Sequence, residues 1–436
     1  MKKKEEHKKE KHQEVEKIIH NAGKVFHVSE KKAHGVVHDR QHKIKHRLKQ
    51  HIHHEQHKKH HEPHAGQDHG QHAVQHSHVE HHHAEHHQPH VEHQHIEHSH
   101  EQHKVQGNSD AEMSKRPDAD EIKRVSVVVA NLKKEVAKAV TGQEEIVDSL
   151  IRALICDGHV LLEGVPGIAK TLAIKTLAIV SGCSSKRIQF TVDLLPTDIT
   201  GVTTYTPGKG FETIKGPIFA NFVIADEINR SPSKTQSALI EAMQEKQVTI
   251  GKQTFFLSPP FFVMATQNPL EQSGVYSLPE AQVDRFLFKL IMGYPKYHDE
   301  EKIMGENMTL KKFEEFNLKA VTTPEEIMKM QVLTKRIYID DKIKKYILDI
   351  VTKSRTKDFK DGHYIDWGGS PRASIALFIA SKAEALMRGR NFVIPSDVRR
   401  VAHEVLRHRI ILTYRAKAEG ITSDKIVDEI LSKEHA

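Results

Sequence analysis

The stretch Leu161–Thr171, LLEGVPGIAKT, constrains the fold of this chain more than any other. An apolar run, a glycine turn and a second apolar run predict a buried strand, a tight loop and the start of a helix. The loop has the phosphate-binding form: Gly164, then Val165, Pro166, Gly167 and Ile168, then Ala169, Lys170 and Thr171. In such a loop the backbone N–H groups and the helix N-terminus point into one hollow and bind phosphate oxygens. The lysine reaches the β- and γ-phosphates, and the threonine hydroxyl holds Mg²⁺. One position departs from the usual form, because alanine replaces glycine at Ala169. Alanine fits there if the residue has helical φ/ψ, since only positive φ needs glycine.

A length of 436 residues suggests two or three domains, and histidine divides the chain. Of 36 histidines, six (His159, His298, His363, His403, His408 and His435) lie beyond residue 110. Residues 1–113 are expected to be a largely disordered or partly helical extension, too poor in apolar surface to offset chain entropy. Val15, Ile18, Ile19, Val25 and Phe26 offer one short amphipathic face near its start. A dense imidazole tract binds divalent metal without fixed geometry, and it also charges near pH 6.5 as a polyelectrolyte. A solvated tract with no selected role is a third reading, and composition leaves all three open. The net charge of +7 is too diffuse to argue for nucleic acid. Cys156 and Cys183 fit no metal spacing, and a chain this long does not need a disulfide, so a reducing cytoplasm is expected. The basic N-terminus has no apolar run behind it, so no secretory signal is expected. No segment approaches the length of apolar sequence that crosses a bilayer, so no membrane span is expected.

Ordered structure is expected from about Ala119. Helical spacing covers Val125–Ala139, with Val127, Val128, Leu132 and Val136 on one stripe, and then Gln143–Cys156. His159–Glu163 reads as the strand feeding the loop, Thr171–Ser181 as the helix leaving it, and Arg187–Val192 as a second strand. Phe222–Ala225 is a buried strand of the parallel-sheet type, ending in Asp226 and Glu227. At such a strand end the first carboxylate holds Mg²⁺ and the second orients and deprotonates the attacking water. Asp226 follows Thr171 by 55 residues in an alternating β/α pattern, which makes a chance pair a poor explanation. Phe261–Thr266 is another buried strand, ending in Gln267, Asn268 and Pro269. A polar side chain there lies beside the Asp226–Glu227 strand end, within reach of a γ-phosphate or a lytic water. Ser277–Leu290 holds a short helix, Arg285, and a strand from Phe286. An arginine in that place forms a surface ion pair or, alternatively, neutralises phosphate charge in a neighbouring subunit.

With these stretches in register the chain resembles an AAA+ ATPase of the MoxR family. The matching segments are GHVLLEGVPGIAKT (Gly158–Thr171), ADEINRSPSKTQSALIEAMQEKQVTI (Ala225–Ile250), ATQNPLEQSGVYSLPEAQVDRF (Ala265–Phe286) and GGSPRASIAL (Gly368–Leu377). The resemblance covers residues 119–436 and implies an α/β domain over 119–296, with a five-stranded parallel sheet, followed by a helical lid over 297–436. It makes Gly164–Thr171 the Walker A loop, Asp226 and Glu227 the Walker B pair, and Asn268 sensor 1. Arg285 becomes the arginine finger, Arg372 sensor 2, and Arg230 a residue near the subunit junction.

Two turn-rich inserts resemble the helix-2 insert and the pre-sensor-1 hairpin. Val202–Tyr205 and Phe211–Ile214 alternate around Pro207-Gly208, and Val248–Leu257 turns at Gly251-Lys252. In ring ATPases of this kind such loops face the central pore; as bare surface hairpins they would touch no substrate. Helical spacing also covers Thr323–Arg336, Asp341–Ser354, Pro371–Arg388 and Pro395–Leu412. The resemblance implies Mg²⁺-dependent ATP hydrolysis in a homo-oligomeric, hexameric ring, with ATP between sheet domain and lid and Arg372 coupling its presence to lid angle. It further implies a chaperone-like task on protein complexes, with von Willebrand factor A-domain proteins among the partners. Two rivals remain at this level: a nucleic-acid-dependent motor of the helix-2-insert type, and a metal-binding His-rich protein on an ATPase scaffold.

Overall fold

The computed structural model describes residues 116–165, 170–208, 210–268, 276–305 and 312–434. The expectations for the His-rich extension and for Pro166, Gly167, Ile168 and Ala169 fall outside these residues.

The described chain opens with α1 (Ala119–Val136). Asp118 caps it by accepting the Glu121 N–H at 2.8 Å, and the Glu121 carboxylate returns to the Asp118 N–H at 3.0 Å. Its buried stripe is Ile122, Val125, Val129, Leu132 and Val136, while Val127 is 52% exposed. The run Val125–Val129 is apolar at four of five positions and cannot fix helical phase by itself; Ile122 fixes it. There follow α2 (Glu144–Ile155), β1 (Val160–Gly164), α3 (Lys170–Val180), β2 (Ser185–Gln189) and the short α4 (Pro196–Thr200). The hairpin β3 (Gly201–Thr206) and β4 (Gly210–Lys215) comes next, then β5 (Phe222–Asp226), α5 (Ser233–Glu245) and the hairpin β6 (Gln247–Ile250) and β7 (Gln253–Phe256). β8 (Phe262–Gln267), α6 (Glu280–Val283) and β9 (Phe288–Met292) complete the sheet domain. The remainder is helical: α7 (Tyr297–Gly305), α8 (Pro324–Arg336), α9 (Asp341–Thr356), α10 (Pro371–Met387), α11 (Pro395–Leu406), α12 (Tyr414–Ala418) and α13 (Ser423–Lys433). One short antiparallel ribbon interrupts it, β10 (Ile365–Trp367) against β11 (Ile411–Leu412). The helix expected over Pro395–Leu412 therefore stops at Leu406. His408 and Arg409 turn back toward the sheet domain there, and no Gly or Pro marks the break.

The main sheet has five strands in the order β2-β5-β8-β1-β9, every pair parallel. Alternation sends each strand's side chains to opposite faces. Leu161, Val223, Ala225, Val263 and Ala265 pack against Leu239, Ile240 and Met243 of α5. Val160, Leu162, Phe222, Ile224 and Met264 join a second core that runs through α1–α3 and on into the lid helices. Burial of each large apolar side chain contributes roughly 1.5–3 kcal/mol, so this shared core ties lid and sheet together strongly.

Parallel pairing puts all five C-terminal strand ends on one edge. Gln189 stands opposite Asp226, and Glu163 opposite Gln267. This edge carries Lys170 and the two carboxylates. The opposite edge carries Gly158, His159 and the approach to β9.

Candidate active site

Lys170 opens α3, and its Nζ donates to the Gly164 carbonyl at 2.6 Å. The Gln267 carbonyl at the end of β8 lies 3.5 Å away. Thr171, the next residue, donates its hydroxyl to Asp226 Oδ2 at 3.3 Å. Asp226 ends β5 and is 8% exposed. Its Oδ1 accepts from the Thr266 hydroxyl at 2.6 Å, and its Oδ2 accepts from Arg187 Nη2 at 2.6 Å and Nε at 3.0 Å. Burial opposes ionisation of this carboxyl. The Thr266 and Arg187 hydrogen bonds and the Arg187 charge outweigh it, so the group sits below the ordinary aspartate value.

Glu227 has φ 57 and ψ 49, a left-handed conformation that costs a non-glycine residue about 1 kcal/mol or more. Its N–H donates to the same Thr266 hydroxyl at 2.9 Å. One fully buried threonine thus fixes both strand-end acids, accepting from Glu227 and donating to Asp226. The Glu227 carboxylate accepts from Gln189 Nε2 at 2.7 Å and pairs with Arg230 Nε at 3.1 Å. Gln189 Oε1 in turn accepts from Arg187 Nη2 at 2.7 Å. Asn268 follows β8, which lies between β5 and β1, and is 7% exposed. Strand order therefore gathers Lys170, Thr171, Asp226, Glu227 and Asn268 on one edge.

Arg187, Gln189 and Thr266 were not singled out from sequence. Their signal is the polar alternation Ser185, Arg187, Gln189 on β2 and a lone hydroxyl in the apolar run of β8.

The donor chemistry suits a nucleoside triphosphate and Mg²⁺. A cationic amine and a helix start offer phosphate ligands. Beside them stand a hydroxyl and an ionised carboxylate, the hard oxygen donors that Mg²⁺ takes. The second carboxylate, held clear of the first by its backbone turn, is the group suited to take a proton from water.

Arg285 and Arg372 lie elsewhere. Arg285 is exposed and comes just before β9, at the N-terminal edge of the sheet. Arg372, in the first turn of α10, has Nη1 3.5 Å from Asp284 Oδ2 and a side chain 52% exposed. Both line a cleft of about 530 Å³ with Gly158 and His159. Six residues of strand at about 3.3 Å each separate Gly158 from Gly164, a span of roughly 20 Å. The structure thus places Arg372 beside Arg285 and away from the Lys170 edge of its own chain. The lid packs α10 and α11 against α2, which carries Arg372 to the far edge beside Arg285.

A parallel sheet in this order, with a phosphate loop, paired strand-end carboxylates and a helical lid, defines a P-loop ATPase of the AAA+ class. The profile of the ATPase family associated with various cellular activities matches residues 159–288, and that of the AAA lid domain matches residues 362–430. Chaperone MoxR1 of Mycobacterium tuberculosis is 44% identical over 307 residues, which cover 68% of this chain and 79% of that protein. The uncharacterized protein YeaC of Bacillus subtilis is 46% identical, over 68% of this chain and 90% of its own length. The crystal structure of a candidate ATPase from Cytophaga hutchinsonii superposes with a TM-score of 0.67 at 41% identity, covering 76% of this chain and 99% of that one. The chain belongs to the MoxR family of AAA+ ATPases.

Proposed function

We propose that this ATPase hydrolyses ATP with Mg²⁺ in a closed ring, a hexamer by family likeness, and uses the cycle in chaperone-like remodelling of protein complexes. The carrying observation is the split between the two sheet edges. Lys170, Thr171, Asp226, Glu227 and Asn268 gather on one edge, whereas Arg285 and Arg372 gather on the other. A head-to-tail arrangement of identical subunits would bring one edge against the other, and a heterologous contact that closes makes a ring.

In this reading Lys170 and the start of α3 hold the phosphates, and Thr171 and Asp226 hold the metal. Mg²⁺ held there would supply positive charge to offset that of the phosphates. Thr266 holds Asp226 in place as a metal ligand, while Glu227 leaves Gln189 and Arg230 to take the proton of the attacking water. Asn268 bonds the γ-phosphate or that water, and the arginines of the next protomer stabilise the charge that develops.

The chaperone assignment draws on the relative named Chaperone MoxR1. The exposed hairpin residues Tyr205, Phe211 and Phe256 support a polypeptide client. Lys215 lies 5.0 Å over each of the Phe219 and Phe255 rings, so this insert lysine is engaged within the fold rather than offered to nucleic acid. Von Willebrand factor A-domain proteins are the partners to test first. Two free thiols support a reducing cytoplasm. The histidines before residue 110 are proposed to bind divalent metal, a property that zinc titration of the chain with and without them would test.

Glu227→Gln is the decisive variant for the reaction. It should bind ATP, fail to hydrolyse it, and hold clients for capture. Turnover equal to that of the unaltered protein would refute the role given to Glu227.

A further inference from the structure

The segment that carries Arg285 is gripped from the lid. Arg409, just after α11, has a side chain only 3% exposed. Its Nε donates to Asp284 Oδ1 at 2.8 Å, and its Nη2 donates to the Asp284 carbonyl at 3.1 Å and the Phe286 carbonyl at 2.6 Å. Its Nη1 donates to the Leu287 carbonyl at 3.0 Å. One buried guanidinium therefore holds the backbone on both sides of Arg285. The other Asp284 oxygen, Oδ2, accepts from the Ser370 hydroxyl at 3.0 Å and lies 3.5 Å from Arg372 Nη1. Ser370 is the N-cap of α10, and the same hydroxyl accepts the Arg372 N–H at 3.2 Å.

Asp284 is thus bonded to every element that decides where the two exposed arginines point. Its own main chain leads into Arg285, and its side chain meets both the cap of the helix that bears Arg372 and the Arg372 guanidinium. The Arg372 contact is long and half exposed, so the guanidinium can leave it for phosphate, with which arginine bonds strongly. The Arg409 and Ser370 contacts are short and shielded, and hold the frame.

We infer that Asp284 is a positioning residue that latches the lid to the Arg285 segment and so presents Arg285 and Arg372 as a two-pronged cationic pair to the neighbouring protomer's triphosphate. This inference rests on the proposed subunit-shared site. Arginine fingers contribute about 10³–10⁵ in turnover, and misplacing a catalytic group by about 1 Å can cost 10²-fold.

The test uses full-length Asp284→Asn, which keeps the side-chain shape and removes its charge. Its affinity for a fluorescent ADP analogue should match that of the unaltered protein, because the Lys170 edge is untouched. Its kcat should fall about 100-fold with KM little changed. Mixed with full-length Lys170→Ala, it should regain turnover, since the Lys170→Ala subunit supplies an intact arginine pair. Arg285→Ala mixed with Lys170→Ala is the control. Rescue of the control without rescue of Asp284→Asn would overturn the inference and leave the shared site standing. Failure of the control would instead overturn the shared site. If Asp284→Asn loses ADP binding through misfolding, Ser370→Ala takes its place in the same mixture. It removes one donor to the same carboxylate and leaves the Arg409 clamp whole. A smaller kcat loss restored by mixing supports the latch, and unchanged kcat or a loss that mixing does not restore contradicts it.

Discussion

The guanidinium of Arg152 on α2 lies 2.7 Å from the Glu384 carboxylate on α10, with the two side chains 1% and 4% exposed. Arg152 Nη1 also meets Glu404 of α11 at 2.9 Å, and the Ser149 hydroxyl joins the group. Burial works against the charge on Arg152, and the two glutamates more than restore it, holding the group above its ordinary value. A buried charged joint and a shared apolar core thus fasten the lid to the sheet domain of its own chain. In the ring proposed above, motion coupled to hydrolysis is therefore expected between protomers. Arg152→Met takes one charged partner from buried Glu384, which keeps Arg388, and from half-buried Glu404, which keeps Ser149, and should cost about 3 kcal/mol. Chemical denaturation followed by far-UV circular dichroism would read this; a loss under about 1 kcal/mol, the scale of an exposed pair, would contradict it.

Acid should destabilise the fold through His159. Its Nδ1 accepts the Val263 N–H at 3.1 Å, so Nε2 carries the proton and donates to the Met243 carbonyl at 3.1 Å. Burial lowers its pKa from 6.5 to about 4. The unfolded chain therefore takes up this proton first as pH falls. Stability is full above pH 6.5 and is lost between 6.5 and about 4, by about 3 kcal/mol at the lower end. His408 adds to the same trend, because its ring is buried and also lowered. His159→Gln should flatten the dependence of melting temperature on pH across this window. An unchanged slope would contradict the assignment.

Thr266→Val should separate the metal from the nucleotide. The substitution keeps shape and removes the hydroxyl that bonds Asp226 and receives the Glu227 N–H. Fold stability should fall by about 1–3 kcal/mol, the cost of an unmet buried group. The Mg²⁺ concentration for half-maximal turnover should rise, and kcat should fall about 10-fold or more. Affinity for nucleotide without metal should hold. Equal loss of metal-free nucleotide binding would mean that Thr266 serves the fold rather than the carboxylates.

Much of this was legible locally. The strand ending at Gly164, the helix starting at Lys170, the Asp226–Glu227 strand end and both hairpins rest on alternation and turn residues that are adjacent in sequence. Gly251, with φ +62, sits where the β6–β7 turn was expected. The misses are relations over long separations. Arg372 and Asp284 are 88 residues apart, and nothing near either residue reveals that the lid returns to that edge. Arg152 reads as the polar residue of an amphipathic helix until Glu384, 232 residues on, is seen against it. The phase of α1 and the end of α11 were lost for a local reason. Uninterrupted apolar spacing carries neither a register nor a stop signal when no glycine or proline interrupts it.

The most direct measurement of the shared site is the steady-state ATPase rate of Lys170→Ala and Arg285→Ala, alone and mixed in equal amounts. Each variant alone should be nearly inactive, while both assemble. The mixture should hydrolyse ATP well above the sum of its parents, because an Arg285→Ala subunit with an intact phosphate edge meets a Lys170→Ala neighbour with intact arginines. A mixture no more active than its parents, with mixed assembly verified, would contradict the account.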